Sequence, residues 1–301
     1  MPNTIEYAKR YTSLLDEVYM RSALTGVLES DSSLSRAGAN VNEIIIPKID
    51  MDGLADYDRN SGYVKGDESL TWETKQFNYE RGRMFTVDNM DNEETQNIAF
   101  GRLAGEFIRT KVVPEIDAFR FAYYASVPGA ASSSEELKTG AAAIGSLRKA
   151  VTTMDEEQVP SSERILFITP TLKGMLDDLD TYKSKAVLSG FSQIISVPQS
   201  RFYTKIDLLD GKSEGETAGG YKKAASAANI NYLIIYKPAV IQFTKHAVPK
   251  TITPEANQDA DAWKYGYRIY GISSYFENKV SGIYCSHAPA PTLPTSSEDE
   301  S

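Results

Sequence analysis

Residues 92–125 read NEETQNIAFGRLAGEFIRTKVVPEIDAFRFAYYA. Ile98, Leu103, Phe107, Ile108, Val112, Ile116, Phe119, Tyr123 and Tyr124 recur in a broad stripe at helical period. Asn92 can cap this helix, and Glu93 and Glu94 suit the positive end of its dipole. At 1.5 Å per residue it would run about 50 Å, which suits a spine better than a globular core. Pro114 lies inside the stretch and should bend or break it.

Upstream, residues 42–50 have β character through Ile44, Ile45, Ile46 and Ile49, and Pro47 argues for an edge position. After a polar, glycine-bearing stretch, Leu70, Trp72 and Thr74 alternate with polar residues. A further strand-like run holds Phe77, Tyr79, Phe85 and Val87. Together these read as one long two-stranded hairpin over 41–87 with a mobile tip. A lone hairpin has too little core to be stable. Its apolar residues Ile44, Ile46, Trp72 and Phe77 are therefore expected to stay exposed within the chain and to need another subunit as cover. Further upstream, residues 5–28 have helical period, and Ser30 to Asn40 reads as a flexible connection.

Downstream, Val127 to Ser134 reads as a small-residue linker, and 135–156 as an amphipathic helix. Arg164 to Thr169 is a strand, and Thr169 and Pro170 start a short helix through Leu179. Strands are expected at 193–197, 231–236, 239–246, 263–274 and 279–285. Residues 210–228, rich in Gly, Ser, Ala and Lys, read as a long exposed loop. The stretch 288–301 lacks periodicity and is expected to be disordered. There is no internal repeat.

The composition removes several function classes. The chain of 301 residues is 41% hydrophobic and 24% charged, as expected of an ordinary globular protein. No apolar run approaches the ~20 residues that span a bilayer, so no membrane association is expected. The first residues, Met1 to Glu6, show no basic segment followed by an apolar core, so no secretory signal is expected. A single cysteine, Cys285, and two histidines, His246 and His287, leave little material for a disulfide or a His/Cys metal centre. The net charge of −9 comes without the basic stripe that neutralising phosphates requires, so specific nucleic-acid binding is not expected. Eighteen tyrosines suit protein interfaces, which favour apolar bulk with a hydroxyl.

Candidate chemistry is thin. Gly211-Lys212-Ser213 ends like a phosphate loop, but Ile206 stands where its first glycine belongs. Asp56, Asp58, Asn60 and Asp67 echo a calcium loop, but Gly62 falls one place late and Asp67 replaces the usual glutamate. A solvated polar tip is the better reading. Cys285 and His287 share a strand face and could form a nucleophile pair, though a buried thiol beside a frayed end explains them more simply. Asp177–Asp178 and Glu156–Glu157 read as solvated charge. The aromatic segment 263–276 could stack sugars or bases, but its alternation favours a core-and-interface strand. No catalytic residue, cofactor or metal is expected.

The ordered set resembles the major capsid proteins of tailed phages with the Hong Kong 97 capsid fold, most of all those of siphophages of Gram-positive bacteria. The resemblance covers about 1–287. It is carried by Tyr7-Ala8-Lys9-Arg10-Tyr11 to Asp16, by Asn42-Glu43-Ile44-Ile45-Ile46-Pro47 through Trp72, Phe77 and Asp88, and by the spine from Glu93 to Tyr124. Leu166-Phe167-Ile168-Thr169-Pro170, and Tyr267-Arg268-Ile269-Tyr270 to Gly282-Ile283-Tyr284, complete it. It implies an α+β fold with an N-terminal arm (1–40), an extended E-loop hairpin (41–87), a P-domain from the spine (88–130) and late strands (240–287), and an α/β A-domain (131–239). The disordered acidic tail (288–301) follows.

The resemblance also implies function. Subunits would assemble as pentamers and hexamers into an icosahedral virion shell, built in the host bacterial cytoplasm around double-stranded DNA that is not specifically bound. Partners would be a portal protein, a decoration protein in some members, and a separate scaffolding protein, because no scaffolding domain precedes the arm. Ile44, Ile46, Tyr57, Tyr63, Lys65, Trp72 and Phe77 are the expected intersubunit contacts. Some family members cross-link through a lysine, an asparagine and a glutamate; Lys65 and Asn278 fall in the corresponding regions without completing a secure set. Two rival readings stand: an encapsulin-like compartment shell holding an enzyme, and a small carbohydrate-binding or enzymatic domain using the aromatic strand.

Overall fold

Alternation and helical period translate into an α+β fold. The computed structural model describes residues 23–30, 36–37, 43–60, 62–94, 98–179 and 181–291. In chain order these form β1 (Arg36–Ala37), β2 (Glu43–Met51), β3 (Glu68–Gln76), β4 (Tyr79–Asp88), α1 (Asn89–Glu94), α2 (Ile98–Phe107) and α3 (Val113–Ala125). There follow β5 (Ala131–Ser134), α4 (Gly140–Glu156), β6 (Arg164–Ile168), α5 (Pro170–Asp177), α6 (Tyr182–Leu188), β7 (Gln193–Ser196), β8 (Ile206–Leu209) and β9 (Gly220–Lys223). The chain closes through β10 (Ile230–Tyr236), β11 (Val240–Ile252), β12 (Ala262–Tyr275) and β13 (Ile283–His287).

The most apolar runs find each other. A five-stranded mixed sheet has the order β5-β13-β10-β6-β7, with β10 antiparallel to both β6 and β13. Successive side chains on a strand point to opposite faces. Phe167, Leu233 and Ile235 therefore pack with Phe121 and Tyr124 of α3, while Leu166, Ile168, Tyr232 and Ile234 pack with Leu147 and Met154 of α4 and Leu172 of α5. Cover on both faces explains why β6 is apolar without alternation. β13 lies in this sheet and packs Ile283 and Cys285 against Phe121 and Tyr124 of α3. The linker expected at 127–134 contributes β5, parallel to β13. The Glu135 amide then bonds to the His287 carbonyl at 2.9 Å, so α4 starts five residues later than its periodicity predicts. Thr139 caps it, its Oγ1 accepting from the Ala142 amide at 3.2 Å.

The second large sheet corrects the hairpin. β4, expected to continue it, pairs over its whole length with β12, giving the antiparallel order β11-β12-β4. The reason is a face that a two-stranded hairpin cannot cover. Tyr79 and Phe85 join Tyr265, Tyr267 and Ile269 of β12 against Ala104, Ile108, Val112 and Ile116 of the helical spine. Within that spine, α2 and α3 are joined by a π-helical turn, Ile108–Val112, where the Val113 amide bonds to the Ile108 carbonyl. Pro114 sits in the first turn of α3. The missing N–H is tolerated there, so a widened turn replaces the expected break.

β2 and β3 form the remaining hairpin, from Glu43↔Gln76 to Met51↔Glu68. On the other side of β2, β1 pairs Arg36 with Ile45 and Ala37 with Ile44, and among the described residues no strand pairs with β2 beside Pro47 there. The loop expected at 210–228 is also revised. β8 and β9 pair antiparallel across a turn, and Ala224, Ala227 and Ala228 are buried.

A 3₁₀ turn, Leu24–Leu28, crosses the spine. Buried Asp117 accepts from the Leu24 and Thr25 amides at 3.1 Å each, from Thr25 Oγ1 at 2.7 Å and from Arg201 Nη1 at 3.2 Å. Burial outweighs those partners and raises the Asp117 pKa above the ordinary carboxylate value, while the hydrogen bonds from Thr25 and Leu24 pull it back down. The expected helix at 5–28 lies outside the described residues as far as residue 22, as do most of the 30–40 connection and residues 292–301 of the tail.

Candidate assembly surface

The β2–β3 hairpin divides into a base that belongs to the chain and an outer part that does not. At the base, Ile44 and Ile46 are 4% and 5% exposed, packed with Ile241 of β11 and Ile272 of β12. This corrects the expectation that both are left open for a neighbour: β11 and β12 supply the missing layer from within the chain. Phe77 is half-buried there, stacked on Tyr270 at 4.6 Å with Lys245 Nζ 5.1 Å over its ring. Lys75 bonds to Glu73 and lies 3.5 Å from Glu277, which also lies 3.6 Å from Lys48. Burial works against the Lys75 ammonium, but Glu73 and Glu277 outweigh it and hold its pKa above the ordinary value.

Beyond the base most large apolar side chains of the hairpin are exposed. Of eleven exposed large hydrophobics among the described residues, eight lie between Ile49 and Trp72, so the exposed apolar surface is concentrated on one element. Trp72 is 50% exposed and Tyr63 88%. The Tyr57 and Tyr63 rings meet at 4.8 Å and present a paired aromatic tip, with Lys65 exposed beside them. Of the seven expected contact residues, Tyr57, Tyr63, Lys65 and Trp72 are thus open to a partner, Phe77 is partly so, and Ile44 and Ile46 are not.

The tip aspartates are turn-formers. The Gly62 amide bonds to the Asp58 carbonyl at 2.7 Å, with Gly62 at φ +82°, a region that favours glycine. Asp58 Oδ1 accepts from the Asn60 amide at 2.9 Å, and Asp52 Oδ2 from the Asp67 amide at 2.8 Å. Among the described residues no three His, Cys, Asp or Glu side chains converge as a metal site requires.

The other candidate residues have structural placements. Burial pushes the Cys285 thiol up to about 12, so it stays neutral, and His287 Nδ1 lies 2.8 Å from the Ala288 carbonyl. Lys212 and Ser213 sit in the β8–β9 turn. There the Ser213 hydroxyl, then the Lys212 and Ser213 amides, hold Asp210 at about 2. Tyr265 and Tyr267 of the aromatic strand are buried against the spine and offer no open stacking platform.

One feature was not legible in the sequence. A cleft of about 1060 Å³ lies between the spine, β4 and the β8–β9 hairpin. Leu103, Phe107 and Phe85 line its apolar part. Arg81 bridges it, donating from Nε to Glu115 Oε1 at 2.7 Å and from Nη2 to the Leu209 carbonyl at 2.7 Å. Arg83 donates to the Ala218 and Thr217 carbonyls, both at 3.0 Å. A Cβ at Gly219, where φ is +65°, would come within 2.9 Å of Arg83 Nη1, so the turn needs glycine there. Alternation in β4 marks Arg81 and Arg83 as sharing a face with Tyr79 and Phe85; only the pairing with β12 shows that this face is turned inward.

No family model matches the chain, and no curated protein matches it. Solved structures do. A chain from Mycobacterium phage Che8 aligns at 12% identity and a TM-score of 0.54, covering 81% of this chain and 84% of that one. The capsid of Staphylococcus phage Andhra aligns at 14% identity and a TM-score of 0.52, over 87% and 84%. The virus-like particle from Pyrococcus furiosus aligns at 12% identity and a TM-score of 0.56, over 93% and 99%. At these identities the likeness is one of fold, and the fold of this chain is that of phage capsid proteins.

Proposed function

We propose that the chain is the major capsid protein of a tailed bacteriophage, with the Hong Kong 97 arrangement of arm, E-loop, spine and axial domain. Copies would form pentamers and hexamers and close into an icosahedral shell around double-stranded DNA. The observation that carries this reading is the pairing of a capsid fold with one hairpin that holds most of the exposed large apolar side chains. Closed symmetry leaves no such surface open. A separate scaffolding protein, a portal protein and, in some particles, a decoration protein belong to the same reading, as do the virion as location and the absence of enzymatic activity. The net charge of −9 suits a wall that encloses DNA without gripping it.

A compartment shell is the second reading, because the same fold could close around a protein cargo as well as around DNA. DNA protected from nuclease inside purified particles supports the phage reading; a protein cargo in its place supports the compartment. The primary test replaces residues 52–67 with a short Gly-Ser turn. The circular dichroism spectrum and melting of the free chain should stay nearly unchanged while closed particles vanish from negative-stain images. Particles that still close would refute the hairpin's role in assembly, and a chain that unfolds would place the tip in its own core.

A further inference from the structure

The chain holds two Asp-Gly pairs and no Asn-Gly pair: Asp52-Gly53 at the outer end of the β2–β3 ladder, and Asp210-Gly211 in the β8–β9 turn. We propose that Asp52 is a site of spontaneous covalent modification, converting to isoaspartate in the folded chain, while Asp210 is protected by the turn that holds it. An aspartate before glycine is the susceptible pair because glycine has no Cβ to hinder approach to its amide nitrogen. Asp52 and Gly53 are both exposed. A Cβ added at Gly53 would meet nothing within 4 Å, and among the described residues nothing accepts from the Gly53 amide.

Ring closure joins the Gly53 nitrogen to Asp52 Cγ and breaks one carbon–oxygen bond of the neutral carboxylic acid. The departing hydroxyl takes the amide proton and leaves as water. Water then adds to the cyclic imide. Addition at the former main-chain carbonyl opens the ring so that the chain runs through the side-chain carbon. One water is lost and one regained, so the mass is unchanged and no oxidant is needed. The reaction removes one carboxyl oxygen, and the two aspartates differ in what holds their oxygens. At Asp52, among the described residues, only Oδ2 is engaged, by the Asp67 amide at 2.8 Å, so Oδ1 can leave without breaking a contact. At Asp210 both oxygens are engaged: Oδ1 by the Lys212 and Ser213 amides at 2.7 and 2.9 Å, and Oδ2 by the Ser213 hydroxyl. The same donors, the Ser213 hydroxyl foremost, hold Asp210 at about 2 and keep its neutral acid scarce. The product at Asp52 gains a backbone carbon beside the last rung of the ladder, where the Asp52 amide bonds to the Asp67 carbonyl at 3.1 Å. The change therefore falls at the neck of the exposed aromatic tip. The chemistry is that of the free chain and does not depend on assembly.

Trypsin releases the two pairs in separate peptides, residues 49–59 and 206–212, which serve as probe and control. The folded chain, aged at neutral pH, should yield peptide 49–59 as two chromatographic forms of one mass. Electron-transfer fragmentation should place the isoaspartate at Asp52. Its extent should exceed that at Asp210 at least about tenfold, a barrier difference of about 1.4 kcal/mol. In urea the two extents should converge. Ser213→Ala, which frees Asp210 Oδ2, should raise conversion at Asp210 in the folded chain. Gly53→Val, at an open position, should slow conversion at Asp52 and leave the circular dichroism spectrum unchanged. Equal extents at the two pairs in the folded chain overturn the proposal, as does an isoaspartate that maps to Asp50, Asp56 or Asp58 in place of Asp52. So does a chain that forms no isoaspartate at Asp52, or one in which Gly53→Val leaves the rate as it was.

Discussion

In β6 each residue from Arg164 to Ile168 is buried, with helices against both faces of its sheet, whereas no residue of β3 from Glu68 to Gln76 is fully buried. Both strands carry large apolar side chains: Leu166 and Phe167 in one, Leu70 and Trp72 in the other. The difference lies in what the chain can bring to them. β6 follows α4 and precedes α5, and α3 closes the far side, so local connections supply both layers. The outer part of β2 and β3 extends past β11 and β12, and nothing among the described residues covers it. Full burial of one such side chain is worth about 1.5–3 kcal/mol. The first strand therefore stabilises the chain's own core, and the second leaves its large side chains largely in water.

The contrast can be broken at the core first. Phe167→Ala empties a site where its ring meets Phe121 at 5.1 Å, and should cost about 3–5 kcal/mol in denaturant unfolding. That is a large share of a domain's typical stability of about 5–15 kcal/mol. A loss under about 1 kcal/mol would mean the sheet is not the core. Ile46→Ala sharpens the boundary at the hairpin base. It should cost about 2 kcal/mol or more, because Ile46 packs on Ile241 and Ile272 within the chain. Near-neutral behaviour would return Ile46 to the intersubunit surface. Trp72→Ala, in the open part, should change the free chain's stability by no more than about 0.5 kcal/mol while reducing particle yield sharply. Unchanged yield in sedimentation would remove Trp72 from the assembly surface.

The smallest effect concerns acid. Burial works against the Glu135 carboxylate, but bonds from Ser146, Ser133 and Ser286 outweigh it and hold its pKa below the ordinary 4.5. Unfolded, the group takes up a proton near 4.5; folded, it does so at lower pH. Its contribution is therefore complete above about 4.5 and is lost as pH falls through the folded value. Glu135→Gln should flatten the acid limb of stability in that window, read as melting temperature against pH. A limb as steep as in the unaltered chain would show that the serines do not hold the charged form.

Legibility followed the kind of signal each segment carries. β6, β10, β12 and α4 were legible because one period runs through each of them: unbroken apolar residues, alternation, or a three-to-four spacing. β5 is Ala-Ser-Ser-Ser and carries no period; it becomes a strand because β13 offers a parallel edge. β9 lies in a stretch of Gly, Ser, Ala and Lys whose composition says loop, and β8, Ile206–Leu209, is too short to carry a period. Arg81 and Arg83 bond to backbone carbonyls around the turn that joins them. β4 looked like the far arm of the hairpin because a strand period does not name its partner. Exposure of the tip residues was legible, while Ile44 and Ile46 are buried against β11 and β12, partners that their own strand period does not name.

What the sequence determined by itself is the inventory: an α+β chain with a long helix read over 92–125, buried strands in its second half and an apolar-rich strand region within 41–87. These follow from propensity and periodicity, which act over a few residues. Tertiary structure alone decided which strand pairs with which, how Pro114 is absorbed by a π turn, and where the hairpin stops being core and becomes surface. Those outcomes depend on groups far apart in the chain, such as Ile46 with Ile272 and Arg81 with Leu209. No local pattern records a contact whose two halves lie more than a hundred residues apart.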